Sequence, residues 1–571
     1  MDYLNLQRHP SNDIYMNNKS FLFLFFIMFG LCATKASSQK SSTNTTAVPV
    51  NTESFREGFF KSNTTYLIKS PVNLNSKTVK LPSNVTLKFE KGGYLLNGTV
   101  VGNNTGITAP NQLIFKRNVS ISGTWNVAKA TSDWFDCAKN GYSIDYKTFL
   151  AYDFNGTKDF GYKYNGKLYR AGTSPNVNWT DDTYPLNQLL NLKARHTVIT
   201  KGTYMIKPIE NTLNEQTFSM QDYSLRMRYA DNCTLEINGT LKAIVATQSI
   251  YYLLIVYNSK NFTLTGTGKL EGDIYEHAVT AGEGGFLFHG AGLVNFNHSN
   301  LTYEGAWGDG VFISYGRLRM ETSESYNYNH HHKNLKINLC RRTGLVYELG
   351  DNVLIENCQF DGHKSRRGTP TYSGIDIEPF WKGAVPIFNC KNINVKNSTF
   401  KNYMFGSGVR YERVMGGTIE GNTFSWNAHD ISVGQCYPEI EKNPLQTAIT
   451  PKRDFIEVFN NRSDSSAYFF VTSDQNPNKV KVYNNKIYDC SEIVLANGNF
   501  LLFEFTNNTI VNAPELGITL KGDIIRMNNN TFKNVGKFFN TDKQTMIKNG
   551  YKLDKIKVSS KVLEFKNNKV L

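Results

Sequence analysis

The chain has 571 residues, of which 40% are hydrophobic and only 16 are proline. That is enough to bury a large core, and length alone would suggest two to four ordinary domains. Its 63 Lys+Arg against 48 Asp+Glu give a net charge of +15. Such a balance favours an acidic partner unless the charge is spread evenly. No RNA-recognition signature, zinc finger or basic helix accompanies it, so nucleic acid is not the expected partner.

In chain order, the first signal is Lys19 followed by the apolar run Phe21–Cys32 and the small-residue stretch ATKASSQ. That is the order of a secretory signal peptide, with cleavage expected after Ala36. Met16 offers an alternative start, and Leu31 is too bulky for lipid attachment at Cys32. The run is too short for a membrane span. The mature chain is expected to be secreted, or held in the periplasm or at the cell surface of a bacterium, as a monomer. Residues 37–55 read as a linker and 56–135 as a small β module rich in strand-forming residues. From 136 to 180 the pattern dissolves into an aromatic-rich connection. Asp181-Asp182-Thr183 before YPLNQLLNL reads as a capped short helix covering the open end of a solenoid.

From 181 to 571 the chain repeats. IENCQF ends at Phe360, VKNSTF at Phe400, IEGNTF at Phe424, VYNNKI at Ile487, FTNNTI at Ile510, MNNNTF at Phe532 and FKNNKV at Val570. The closest spacings are 24, 23 and 22 residues. A period in the low twenties with Asn-rich turns means stacked coils, each burying its apolar side against the next. Asn suits a left-handed corner, and stacked Asn side chains can bond along the axis. The expected fold is all-β: a right-handed parallel β-helix solenoid. The stretches 315–334 and 437–453 break the period and read as loops walling a groove. Seven cysteines remain after the leader, with no C-x-x-C, and are expected mostly as small buried groups rather than a disulfide framework.

GKLEGDIYEH, GAWGDGVFIS, CRRTGLVYE and SGIDIEP resemble the right-handed β-helix proteins of the pectin-lyase-like superfamily, found in exported proteins of Bacteroidetes and in phage tailspikes. NVTLKFEKGGYL…ISGTW resembles the module that often precedes such helices. The resemblance implies a polysaccharide-active fold but no single reaction, since the superfamily spans hydrolases, lyases, epimerases and adhesins. Of the polygalacturonase-type motifs, only Asp309 in WGDGV has a counterpart; Asp181-Asp182 lies in the cap, and no Gly-His-Gly or matching Arg-x-Lys occurs.

The segments WGD-GVFIS, RRT-GLVYE, TYS-GIDIE, FGS-GVRYE and NAH-DISVG superpose as successive coils. Alternation points Val311/Ile313, Leu345/Tyr347, Ile375/Ile377 and Val409/Tyr411 inward. It points Phe312/Ser314, Val346/Glu348, Asp376/Glu378 and Arg410/Glu412 outward, with Asp309, Arg342 and His429 at the strand entrances. Glycoside hydrolysis needs paired carboxylates. The Cα atoms of Asp376 and Glu378 are expected roughly 6–7 Å apart, and Asp309 on the order of 10 Å away. Asp309, Asp376 and Glu378 are therefore the candidate catalytic groups, at a spacing that suits inversion. Arg342, Arg410, His429, Glu348, Glu412, Trp307 and Trp381 are the candidate substrate-binding residues.

A lyase is the main alternative, with Arg342, Arg410 and His429 acting on a uronate. A non-catalytic glycan-binding solenoid is the second. The sequence implies no definite cofactor, and Ca²⁺ is the one candidate, since the acidic column offers it oxygen ligands. The expected partner is a polysaccharide, with an anionic one favoured by the charge. Asp273 and His277, in GDIYEH, read equally as a subsite or a plain turn, and His330-His331-His332 as a polar loop rather than a metal site.

Overall fold

Two adjacent residues of each repeat motif build one corner of a coil. In VYNNKI, FTNNTI and FKNNKV the first Asn (Asn484, Asn507, Asn567) sits at a φ of 58°, 57° and 56°. Asn tolerates this left-handed region at little cost. The second Asn turns inward. Asn461 donates its backbone N–H to Asn485 Oδ1 at 2.9 Å, Asn485 to Asn508 at 3.0 Å, and Asn508 to Asn530 at 2.9 Å. Each side-chain amide also donates to a backbone carbonyl, as Asn485 does to Val458 at 3.0 Å. The buried ladder is thus fully satisfied, which is what makes a polar column tolerable inside a core. Asn422, Ser398 and Cys358 fill the same position in IEGNTF, VKNSTF and IENCQF.

The computed structural model describes residues 47–571 except 211–218, 249, 279–281, 315–325, 363–371, 380, 383–384, 387–389, 435–454, 473–478, 514–517 and 536–555. The leader with its Ala36 cleavage and Met16 start, the 437–453 loop and Cys436 lie outside the described residues. The described cysteines are free thiols, five of them buried.

The coils stack as a parallel β-helix. One sheet of 13 strands runs from Thr203–Ile206 to Lys569–Val570. The phenylalanines closing the motifs stack inside it, Phe360 on Phe400 at 4.8 Å and Phe400 on Phe424 at 5.1 Å. A second sheet carries Leu225–Arg228, Tyr251–Lys260, Phe286–Ser299, Val311–Ser314, Leu345–Tyr347, Ile375–Ile377, Ser407–Tyr411, His429–Val433 and Tyr468–Thr472 in parallel register. Its inward column, Val311, Leu345, Ile375, Val409 and Ile431, is fully buried. Each such side chain contributes about 1.5–3 kcal/mol of burial. Before this column stand Gly310, Gly344, Gly374 and Gly408, because a Cβ on any of the first three would meet the next coil's carbonyl oxygen at 2.6–2.8 Å.

The third sheet corrects the assignment of 315–334 to a loop. Within its described part, Tyr328–Lys333 is a strand paired to Phe286–Ser299 and Asp351–Glu356. His330 and His332 point inward, where both bond Tyr347 Oη, at 2.8 and 2.5 Å. Only His331 faces out, to Glu356 at 3.0 Å. Burial pushes His330 down to about 4, so it is a neutral core group at neutral pH.

The amino-terminal strands are coils as well. Thr65–Ile68, Thr86–Phe89 and Gly98–Thr108 pair in parallel, and Asn63, Asn84 and Asn104 form their own ladder. Lys129–Thr131 pairs with His196–Ile199. The helix Thr183–Asn191 binds coils on either side: Gln188 Oε1 accepts from Ile121 N at 2.6 Å and Asn187 Nδ2 donates to Ser224 O at 2.7 Å.

The aromatic connection holds a three-stranded antiparallel meander, Leu150–Phe154, Thr157–Tyr164 and Lys167–Arg170. Its turns are Asn155-Gly156 and Asn165-Gly166, all four residues at positive φ, as a type I′ hairpin requires. Phe149 stacks on Tyr275 at 3.7 Å, and Tyr146 Oη donates to Gly272 O at 2.8 Å. The meander is thereby tied to the 272–277 turn. Among the described residues no helix is long and apolar enough to cross a membrane.

Candidate active site

The register places the expected outward residues in two columns. Phe312, Val346, Asp376 and Arg410 pair in one. The second starts at Ser314 and continues as Glu348, Glu378 and Glu412, each donating its backbone N–H to the preceding strand. Three carboxylates at one register position, with coils about 4.8 Å apart, would repel one another without intervening cations.

Two arginines supply them. Arg342 donates from Nη1 to Asp309 Oδ2 at 2.9 Å and from Nη2 to Glu378 Oε2 at 3.5 Å. Arg410 donates from Nη1 to Asp376 Oδ2 at 3.3 Å and lies 3.1 Å from Glu412 Oε1 through Nη2. Six of the expected residues therefore form two adjacent triads, each a guanidinium spanning two carboxylates, coupled to one another by charge. Asp309 has its other oxygen on the Thr343 N–H, at 3.0 Å. Asp376 Oδ1 is buried with no hydrogen-bond partner. Glu348 stands in the same column, half-buried.

Exposure separates these acids. The side chains of Asp309 and Asp376 are fully covered and Glu412 is 13% exposed, whereas Glu378 is 36% exposed. Desolvation and then the charge of Asp376 push Glu378 up to about 7, against the pull of Arg410, Arg342 and Arg413. Burial pushes Asp309 up to about 6 while Arg342 pulls it down. The Asp309 charge in turn holds Arg342 firmly protonated.

The outward face is less open than alternation implies. Phe312 and Val346 are buried in a second apolar cluster with Tyr252, Ile255, Tyr257 and Phe286. Within it His289 bridges the hydroxyls of Tyr257 and Ser314, at 2.9 and 2.8 Å. Sequence reasoning missed this arrangement, because the register extends two coils further back than the Gly-apolar signature reaches. Arg413 was missed too; it donates from Nη2 to Pro379 O.

Trp307 is corrected from a sugar platform to a packing group. Its ring has His277 at 4.1 Å and the Arg341 guanidinium at 3.8 Å. Two groups at these distances must occupy opposite faces, so no sugar can stack there. His277 is fixed by Asp273, Nδ1 to Oδ2 at 2.8 Å, inside the core. His429 stands apart, two coils beyond Asp376 and at the strand entrance; burial lowers its pKa, and Ser407 Oγ lies 3.4 Å from its Nδ1. The Trp381 backbone pairs with Pro386, and its side chain lies outside the described residues. Among the described residues no three His, Cys or acidic groups converge to hold a metal ion.

No family model matches the chain. It is similar to the uncharacterized protein YclG of Bacillus subtilis (strain 168), 27% identical over 284 residues. The match covers 46% of this chain and 44% of that protein, less than half of its length. The fold is similar to the tailspike protein of Escherichia coli bacteriophage HK620 in complex with pentasaccharide, at 13% identity and a TM-score of 0.43, over 70% of this chain and 64% of that one. It is also similar to the catalytic unit of a GH87 α-1,3-glucanase from Streptomyces thermodiastaticus strain HF3-3, at 11% identity, TM-score 0.40 and 70% of each chain. An exopolygalacturonase from Thermotoga maritima gives 9%, 0.35, and 62% and 83% coverage. At such identities the likeness concerns the fold alone, which is that of parallel β-helix proteins.

Proposed function

We propose that this chain is a secreted polysaccharide-degrading glycoside hydrolase with its catalytic pair at the end of one strand. Glu378 is the proton donor and Asp376 the base. The observation that carries this assignment is the contrast between them. Glu378 is a partly exposed carboxyl held up to about 7, and its neighbour two residues away is a covered carboxylate on Arg410. A general acid must still hold its proton near the working pH, and a nearby like charge is one way to ensure it. Asp376 Oδ1, buried without a protein partner, is costly in that state. A water held against it would relieve it. Deprotonation of such a water, attack on the anomeric carbon and proton transfer from Glu378 to the leaving oxygen make an inverting hydrolysis. Asp309, both oxygens engaged, positions Arg342 rather than touching substrate. The parallel β-helix hydrolases with similar folds are consistent with this reading and contribute no residue to it.

The test is a screen of the mature chain on neutral and acidic polysaccharides, with reducing ends and the ultraviolet absorbance of an unsaturated uronate followed together. New reducing ends without absorbance, lost in Glu378→Gln and Asp376→Asn, support hydrolysis. Absorbance rising with the reducing ends identifies a lyase instead. Binding without cleavage identifies a glycan-binding solenoid.

A further inference from the structure

Building on that hydrolase assignment, we infer that the cleavage subsite takes an uncharged sugar, even where the polymer carrying it is acidic. The arginines that would recognise a uronate are already engaged. A carboxylate ligand is best held by two parallel N–H groups on one edge of a guanidinium. Arg342 has one terminal nitrogen on Asp309 and the other on Glu378, and Arg410 has its two on Asp376 and Glu412. Arg342 Nε is left without a partner, but it is buried. The third arginine, Arg413, is buried and turned to the Pro379 carbonyl. None presents a vacant edge at Glu378.

The charge count points the same way. Six carboxylates lie in or against these columns (Asp309, Glu348, Asp376, Glu378, Glu412 and Glu283) against four arginines (Arg342, Arg410, Arg413 and Arg341, the last held by the carbonyls of Trp307 and Gly282). Even with Glu378 protonated the described cluster is negative. A sugar carboxylate brought beside it meets like charge in a setting of reduced dielectric, where repulsion is strong. The chain as a whole carries +15, so its positive excess lies outside this cluster. A basic surface that steers acidic polymer and an acidic subsite that admits a neutral unit fit a glycan in which charged and neutral sugars alternate or mix.

The experiment uses paired polymers: polygalacturonate, alginate and hyaluronan, each native and carboxyl-reduced, together with neutral glucans, galactans and mannans. Products of the mature protein are mapped by mass spectrometry. The expected result is that every bond cut follows a neutral residue, and that a reduced polymer is cut at least ten-fold faster than its native form. Cleavage directly after a uronate overturns the inference while leaving hydrolysis standing. If nothing is cleaved, the hydrolase assignment falls, and binding of the same pairs decides the subsite: preference for the reduced polymers supports a neutral site, preference for the native ones refutes it. Binding of none of the neutral or reduced polymers refutes it as well. Glu412→Gln releases one edge of Arg410, so the native-to-reduced ratio of cleavage or binding should rise several-fold. An unchanged ratio shows that the engaged arginines do not set the preference.

Discussion

Two columns of charge run along this solenoid and are built on opposite plans. On the third sheet Glu457, Lys481, Glu504, Arg526 and Glu564 occupy one register position in successive coils. Their signs alternate, and Arg526 lies 2.7 Å from Glu504. Each acid in that column has a cation beside it in the next coil, and Lys566, 2.9 Å from Glu564, balances the last one. On the second sheet Glu348, Glu378 and Glu412 repeat one sign, and relief comes from arginines at other positions. The first plan makes a solvated surface. The second leaves a carboxyl suspended between charge states, the condition that acid catalysis exploits. Chain length between coils differs in parallel. From Asn461 to Asn530 the Asn ladder advances by 22–24 residues, while the site coils advance by 34 where Arg410 meets Asp376.

The sharpest way to break this comparison is at the acid. Glu378→Gln should reduce turnover roughly 10²–10⁴-fold with the melting curve little changed, whereas Glu504→Gln in the alternating column should leave turnover intact. Kinetics and thermal melts on the two variants decide it. Removing a cation separates the columns in stability instead. Arg410→Met strands the covered Asp376 charge and should cost roughly 2–5 kcal/mol. Arg526→Met, on a half-exposed pair, should cost at most about 1 kcal/mol. Urea titrations of both give the difference.

In the ladder, Asn485→Leu takes the acceptor from the Asn461 amides and should cost about 2–4 kcal/mol without touching turnover. The pH dependence carries a definite sign. Glu378 is raised from 4.5 to about 7 and Asp309 from 3.8 to about 6, so both disfavour the folded state once ionised. Their penalty is absent below the unfolded values and grows as pH rises through the folded ones. Glu378→Gln should therefore gain stability relative to the wild type between about pH 4.5 and 7, and wild-type turnover should fall as pH rises through about 7. A parent and variant melting together across that window would show that Glu378 is not held protonated. The smallest effect is expected at the meander: Gly156→Ala, at a φ of 82° with open space around it, should cost about 1 kcal/mol.

Much of the site was legible in particular residues. Gly310, Gly344, Gly374 and Gly408 align the coils because a side chain at any of them meets a neighbouring backbone atom, and alternation then assigns the columns that contain Glu378 and Asp376. The Asn-Gly pairs of the meander were equally legible hairpin signals, obscured by the aromatic residues around them. His330-His331-His332 misled through composition: three polar residues suggest solvent, yet alternation buries two of them on the Tyr347 hydroxyl. Trp307 could not be assigned from sequence, since His277 and Arg341 arrive at its faces from different coils.

The sequence by itself determined the solenoid, its Asn corners and the register of the outward residues on the site sheet from Phe312 to Glu412. These depend on local backbone preference and a repeat that each coil imposes on the next. Tertiary structure alone decided which carboxylates are covered, which arginine spans which pair, and that Glu378 remains partly exposed. Those properties arise from side chains 33 to 36 residues apart meeting across coils, and from the cover laid over the face, neither of which is encoded in any single repeat.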